Sequence, residues 1–187
     1  MTFRELARQE RTLLNRALDR WGAFDALKEK AFLTDGKHVC LVSQELAQVA
    51  MKLQPDECGL AIGELGKQFS PTLAGAGLFS RLSGGGRYYI SVGDGAEQLV
   101  LYGRDVMGDS ITNAAPDLDE NEPVIITNRA GEAIGIGRTR FAGKSLLQKG
   151  RITVTTLVDA GSYLRDEDAE GRTKLARKPG SSRSGHS

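Results

Sequence analysis

The sequence predicts an α+β fold, with a hairpin and helices in the first half and a small β barrel or sandwich in the second. Three observations predict it. Two β-prone runs flank an Asp35-Gly36 turn in the first half, and β-branched runs with tight turns dominate the second half. Three glycines at 84–86 lie between the halves. We therefore predict two domains, residues 1–84 and 87–166, and a disordered basic tail over 167–187, where apolar residues are scarce.

The first element is predicted to be a helix that begins near Thr2. The segment Thr2–Glu5 fits a capping box, in which the Thr2 hydroxyl accepts from a first-turn amide and Glu5 reaches back to the cap. Apolar residues then recur at helical spacing as far as Trp21, and Gly22 can end the helix in the left-handed conformation. The opposite face carries Arg4, Arg8 and Arg11. It is either a nucleic-acid contact or a solvated face whose cations are balanced by acids.

A hairpin and two further helices are predicted to complete the first half. Asp-Gly tolerates the positive φ of a tight turn, so the runs 27–33 and 39–42 should pair as strands. Ser43 should cap a helix whose inward residues are Leu46, Val49, Ala50 and Leu53. A strand or bend follows over 60–67, and then a short helix over 72–82 that contains Gly75 and Gly77. The glycine triplet is a linker rather than a phosphate-binding loop, since no Lys-Ser or Lys-Thr pair follows it.

The second half is predicted to contain mostly short strands. A strand over 87–92 is followed by a short helix or turn over 95–102, with Ala96, Leu99 and Val100 available for burial and Gly103 at its end. An acidic loop spans 117–123. The runs 124–127, 133–137 and 152–158 are further strands, and Asn128–Gly131 should join the first two as a hairpin.

Composition excludes several classes of protein. The net charge is +1, and no apolar run approaches the roughly 20 residues that cross a bilayer. The charged N-terminus does not fit a secretory signal, so we expect a cytoplasmic monomer with Cys40 and Cys58 as free, buried thiols. Two cysteines and two histidines do not form a zinc site of familiar spacing, and no metal or other cofactor is expected.

A near-neutral total charge conceals a basic segment. Eight acids and one cation lie between Asp94 and Glu122, whereas six cations and one acid lie between Arg129 and Arg151. We predict an RNA-binding site at five of these cations: Arg138, Arg140, Lys144, Lys149 and Arg151. The alternative is a solvated loop whose cations serve solubility or pair with the acidic loop. Phe141 and Tyr102 are candidates for base stacking, although Tyr102 is better explained as a core residue.

No catalytic group is predicted. His38 follows a hairpin turn and His186 lies in the tail, so neither sits beside a nucleophile in the sequence. The carboxylates cluster in a loop, where solvation is their usual role. The alternative is an RNA-modification enzyme or accessory protein. An enzyme of this kind would assemble its active site from residues that are distant in the sequence.

Three segments of the second half resemble a known family. The stretch 92–111, VGDGAEQLVLYGRDVMGDSI, resembles the opening of a PUA domain, and 124–137, VIITNRAGEAIGIG, resembles its hairpin. The motifs GAEQ, LYG and VDAGSYLR are similar to those of the Nip-seven (nuclear import protein seven) family, in which a pre-PUA domain precedes a PUA domain. The order of elements in the first half agrees, so the resemblance covers residues 1–166. It implies an N-terminal antiparallel sheet with packed helices, the pre-PUA domain, and a C-terminal PUA β pseudo-barrel. The glycine-rich stretch 73–86 and the Ser/Arg tail depart from the family pattern.

The resemblance implies a non-catalytic RNA-binding factor in large ribosomal subunit biogenesis. Its expected partner is precursor ribosomal RNA, with U-rich single strands favoured. A separate alternative is a protein-interaction adaptor whose apolar first-domain face docks a ribosome-assembly or exosome protein. Archaeal members carry basic residues on the RNA face of the PUA domain, and the five predicted cations occupy the corresponding segment. Their presence favours an archaeal, cytoplasmic protein.

Overall fold

The computed structural model describes residues 2–162, and its first part is a five-stranded antiparallel sheet. The strands lie in chain order: β1 (Arg4–Glu5), β2 (Ala31–Thr34), β3 (His38–Val42), β4 (Leu60–Leu65) and β5 (Phe69–Pro71). Four helices accompany them: α1 (Arg8–Arg20), α2 (Phe24–Leu27), α3 (Gln44–Leu53) and α4 (Leu73–Ser83). The Asp35-Gly36 hairpin and the Ser43 cap are confirmed, and Thr72 caps α4.

The second part is a mixed six-stranded sheet that closes into a pseudo-barrel. Its order is β7-β11-β10-β9-β6-β8, and only the β6–β9 pair is parallel. The strands are β6 (Tyr89–Val92), β7 (Val106–Met107), β8 (Ile111–Ala114), β9 (Pro123–Thr127), β10 (Ala133–Thr139) and β11 (Ile152–Asp159), and helix α5 spans Asp94–Leu101. Short 3-10 turns occupy Gly108–Ser110 and Gly143–Leu147. The predicted α+β class is confirmed.

Alternating side chains place α1 and α3 on opposite faces of the first sheet. Phe32 packs with Leu14 and Leu18 of α1, whereas its neighbour Leu33 packs with Ala47 of α3. This follows from the two-residue period of a strand, which sends successive side chains to opposite sides. Helix α4 joins the α1 side through Ala76 and Phe79. The two helical layers are therefore separate surfaces.

The two parts share one core. Trp21 and Phe79 from the first part pack in the same buried cluster as Tyr89, Ile125 and Ile136 from the second part. The Tyr89 hydroxyl donates to the Trp21 carbonyl at 2.8 Å, and the Trp21 and Tyr89 rings meet edge to face. The domain boundaries at 84 and 87 stay a prediction. The end at 166 and the tail lie outside the described residues.

The predicted start of the first helix is wrong. Arg4 and Glu5 form β1, paired with Thr34 and Leu33 of β2, and α1 begins only at Arg8. The tertiary pairing outweighs the local capping signal, because the backbone of Phe3 is also held by the side-chain amide of Gln54. The capping carboxylate is supplied instead by Glu10, which accepts from the Ala7 amide at 2.7 Å.

Two predicted inward faces are wrong in part, although Ala50, Ala96 and Val100 are buried as predicted. On α3 the buried residues are Ala47 and Ala50, while the predicted core residues Leu46, Val49 and Leu53 are exposed. The small alanines let the helix lie close to the sheet, so the large side chains point away from it. On α5, Ala96 and Val100 are buried but Leu99 is exposed. No helix within residues 2–162 is long and apolar enough to span a membrane.

Candidate nucleic-acid interface

Two of the predicted cations lie at the end of β10: Arg138 within the strand and Arg140 one residue beyond it. Both are exposed and Thr139 between them is buried, so the two side chains face the same side. The Arg140 Nε donates to the Thr155 hydroxyl at 2.7 Å, and Thr155 is also the β11 neighbour of Arg138. Arg138 donates to the Asn121 carbonyl at 2.8 Å. Arg140 therefore reaches toward β11, whereas the guanidinium of Arg138 reaches the Asn121 carbonyl.

One of these arginines is paired within the protein. Arg140 Nη2 lies 3.1 Å from Asp105 Oδ2, and the other Asp105 oxygen accepts from the Thr156 amide at 3.0 Å. Asp105 therefore holds Arg140 against β11 and neutralises part of its charge. The side chain of Arg140 remains 45% exposed, so a guanidinium edge is still open to solvent.

The connection between β10 and β11 carries the other three cations. Lys144 lies in the 3-10 turn, Lys149 follows it, and Arg151 precedes β11. Arg151 lies over the Phe141 ring, with its guanidinium carbon 4.4 Å from the ring centroid. Within residues 2–162 the side chains of Lys144 and Lys149 are exposed and make no ion pair or hydrogen bond. These two lysines are the cations most available to a phosphate.

The structure reverses the expectation for the aromatic residues. Tyr102, expected in the core, is 73% exposed at the end of α5, whereas Phe141 is partly covered by Arg151. The segment that follows Tyr102 runs beside the arginines, because the Arg104 carbonyl accepts from the Thr156 hydroxyl and Asp105 pairs with Arg140. Tyr102 therefore offers an open ring three residues before Asp105, the partner of Arg140.

A second cationic cluster at the junction of the two sheets was not predicted. Arg20 of α1 stacks on the Tyr88 ring at 4.1 Å and forms an ion pair with Glu122. Burial lowers the pKa of Arg20, and the positive charges of Arg87 and Arg138 lower it further. These residues are far apart in the sequence, so no local charge pattern could have shown the cluster.

His38 lies between two carboxylates. Its Nδ1 lies 2.8 Å from Asp35 Oδ2 and its Nε2 lies 3.6 Å from Glu64. A groove of about 430 Å³ runs past His38 to Cys40 and Cys58, which are buried and unbonded. Burial raises the pKa of both thiols, that of Cys40 to about 11, so they are not thiolates at neutral pH. Within residues 2–162 no cluster of three potential metal ligands exists.

A pre-PUA sheet followed by a mixed pseudo-barrel defines a PUA-domain protein, and comparisons with known proteins agree. Residues 88–168 match the UPF0113 PUA domain, and residues 3–73 match the NIP7/UPF0113 pre-PUA domain. A UPF0113 protein of Archaeoglobus fulgidus is 36% identical over 172 residues, which cover 89% of this chain and 97% of that protein. The chain belongs to the UPF0113 family, and the resemblance to Nip-seven proteins is confirmed.

Solved structures of low sequence identity share the fold. A conserved PUA domain protein from Thermoplasma acidophilum aligns with a TM-score of 0.63 and 12% identity, over 89% of this chain and 99% of that one. A PUA domain protein from Aeropyrum pernix aligns with a TM-score of 0.56 and 14% identity, over 87% and 88% of the two chains. At these identities the similarity describes architecture alone.

Proposed function

We propose that this protein is a non-catalytic RNA-binding factor in large ribosomal subunit biogenesis and precursor ribosomal RNA processing. The RNA contact is the basic surface, defined as Arg138, Arg140, Lys144, Lys149 and Arg151. The observation that carries the proposal is the pair Lys144 and Lys149, which are exposed in the connection that follows Arg138 and Arg140 in the PUA half. Membership of the UPF0113 family supports an RNA-binding role.

The chemistry of the surface suits phosphate contacts better than base reading. Lysine ammonium groups and the open edge of Arg140 attract a polyanion, but contacts to phosphates carry little sequence information. Base preference would come from stacking of unpaired bases, for which Tyr102 is open. This combination favours a single strand over a duplex.

The sharpest test removes the two lysines that have no described partner. A Lys144→Ala/Lys149→Ala variant loses two charges without breaking a contact in the described part of the chain. We expect weaker binding of a U-rich single strand. The plot of log binding constant against log salt concentration should be shallower by about 1.4, because two phosphate contacts are lost. Lys52→Glu on α3 is the matched control, since it changes the net charge equally on a distant layer. If Lys144→Ala/Lys149→Ala and Lys52→Glu bound RNA equally well, the RNA site would not be on this surface.

A broader variant tests the strand face. Replacing Arg138, Arg140 and Lys144 with Ala should weaken binding further and flatten the salt dependence. Because Arg138 and Arg140 also bind the protein's own backbone and Asp105, circular dichroism must show that this variant is folded. An unchanged slope in a folded variant would contradict the proposal.

The cellular role has its own test. Crosslinking in cells followed by sequencing of the bound RNA should recover precursor large-subunit RNA above its abundance. Recovery of only mature transfer RNA would contradict the biogenesis role while leaving RNA binding intact.

A second role, as an adaptor for a ribosome-assembly protein, is favoured by the exposed apolar side chains of α3. Leu46, Val49 and Leu53 recur at helical spacing and are 40%, 49% and 75% exposed. A Val49→Lys/Leu53→Lys variant should sediment less with precursor large subunits while binding naked RNA normally. Unchanged sedimentation would exclude this docking face.

A further inference from the structure

A groove of about 340 Å³ separates α1 from the β4–β5 turn, at the junction of the two sheets. Helical spacing brings one face of α1 to its wall, and the turn forms the opposite wall. Pro123, the first residue of β9, closes one end. The side chains that matter for its chemistry are Leu13, Arg16, Arg20, Lys67 and Phe69.

The lining of the groove is cationic. Arg16, Arg20 and Lys67 face it, and no carboxylate within residues 2–162 is among its lining side chains. Glu122 neutralises Arg20 from outside the lining. Arg16 and Lys67 are exposed and form no ion pair or side-chain hydrogen bond in the described part of the chain. A concave site with two unpaired cations concentrates anions, because its low-dielectric walls focus the field.

The groove is continuous with the basic surface. Arg138 is the cross-strand partner of Pro123, so the last lining residue of the groove lies beside the first arginine of the surface. The charge of Arg138 is also close enough to Arg20 to lower its pKa. Arg138 therefore links the cations of the groove to the basic surface.

We propose that this groove extends the RNA path, and that Arg16 and Lys67 bind phosphates of a single-stranded RNA whose other phosphates lie on the basic surface. The proposal rests on the proposed function. The apolar wall formed by Leu13 and Phe69 suits the ribose and base edges between two phosphates. The first half of the protein then contributes directly to RNA binding, and the occupied length of RNA exceeds what the PUA half alone covers.

Strand length separates this proposal from the function on which it rests. A U-rich strand of about 5 nucleotides can occupy the basic surface alone, whereas one of about 12 nucleotides can reach both regions. In the full chain, Arg16→Ala/Lys67→Ala should lower the affinity for the long strand about tenfold and flatten its salt slope by about 1.4. Its affinity for the short strand should equal that of the wild type.

The control is again Lys52→Glu, which lowers the net charge by the same amount on the opposite layer of the first sheet. If Arg16→Ala/Lys67→Ala matches this control on the long strand while Lys144→Ala/Lys149→Ala loses affinity, the groove proposal is overturned and the proposed function stands. If the wild type binds neither strand, both are overturned. A loss that is equal for the two strand lengths also overturns the groove as an extension of the path.

Discussion

Arg140 and Asp105 form an ion pair at 3.1 Å between Nη2 and Oδ2, which restrains one of the five cations of the basic surface. Asp105 also accepts from the Thr156 amide through Oδ1. The carboxylate thus has two roles, a structural one toward β11 and an electrostatic one toward Arg140. Only the second requires its negative charge.

The first prediction separates those roles. Asp105→Asn keeps an oxygen for the Thr156 amide and removes the charge that neutralises Arg140. We expect the affinity for a U-rich strand to rise about two- to fivefold, with a salt slope steeper by about 0.7, for one additional phosphate. Fluorescence anisotropy at several salt concentrations measures both. Glu57→Gln, an exposed acid in the first half, is the control for net charge, and an unchanged slope would show that Arg140 makes no phosphate contact.

The second prediction concerns Tyr102. If its exposed ring stacks on a base, Tyr102→Ala should weaken RNA binding by about 1–3 kcal/mol, whereas Tyr102→Phe should bind nearly as the wild type does. The salt slope should stay the same in both variants, because no phosphate contact is lost. A slope that changes together with affinity would argue against stacking. The same titrations provide the measurement.

The third prediction contrasts two glycines of α4. A Cβ on Gly75 would overlap the Ile62 carbonyl oxygen, so the helix approaches β4 only because that side chain is absent. A Cβ on Gly77 would meet nothing within 4 Å. Gly75→Ala should therefore destabilise the protein by roughly 3 kcal/mol, and Gly77→Ala should stabilise it by about 0.5–1 kcal/mol. Urea unfolding midpoints measure both, and a stabilised Gly75→Ala would contradict the observed helix–strand packing.

The fourth prediction follows from Asp35. Burial raises the pKa of this carboxyl, but hydrogen bonds from the His38 ring and from the backbone amides of His38 and Lys37 outweigh burial and lower it to about 2. The lowered pKa stabilises the fold above the ordinary value of 3.8, and this contribution is lost as the pH falls toward 2. The loss should amount to about 2 kcal/mol.

Asp35→Asn provides the comparison for that titration. Unfolding free energies of the wild type and the variant should converge between pH 4 and pH 2, because the variant has no carboxyl to protonate at this position. Parallel curves across this range would contradict the assignment. Glu10, whose pKa the Arg4 hydrogen bond lowers to about 2, titrates in both proteins and cancels in the comparison.

Elements with a local signal were predictable, and elements decided by distant partners were not. The Asp35-Gly36 turn and the Ser43 cap act within a few residues, so their identity shows in the sequence. The start of α1 depends on β2 and Gln54, which a local reading does not include. The inward face of α3 follows from how closely its alanines approach the sheet, a distance that no periodicity encodes.

The same distinction between local signals and distant partners applies to the basic surface. Its cations are dense in one stretch of sequence, so charge counting located Arg138 to Arg151 without a structure. The pairing of Arg140 with Asp105 joins residues 35 positions apart and required the fold. The groove lined by Arg16 and Lys67 depends on the meeting of a helix and a hairpin, for which the sequence offers no signal.

The cluster in which Trp21 and Phe79 meet Tyr89, Ile125 and Ile136 makes the molecule one thermodynamic unit. If the chain were cut at the glycine triplet, each fragment would expose apolar surface that is now buried between the two parts. Exposing apolar surface to water costs about 25 cal/mol per Å². Heat or urea should therefore melt both halves in a single transition. An RNA strand bound to both halves would contact one rigid surface rather than two domains that move independently.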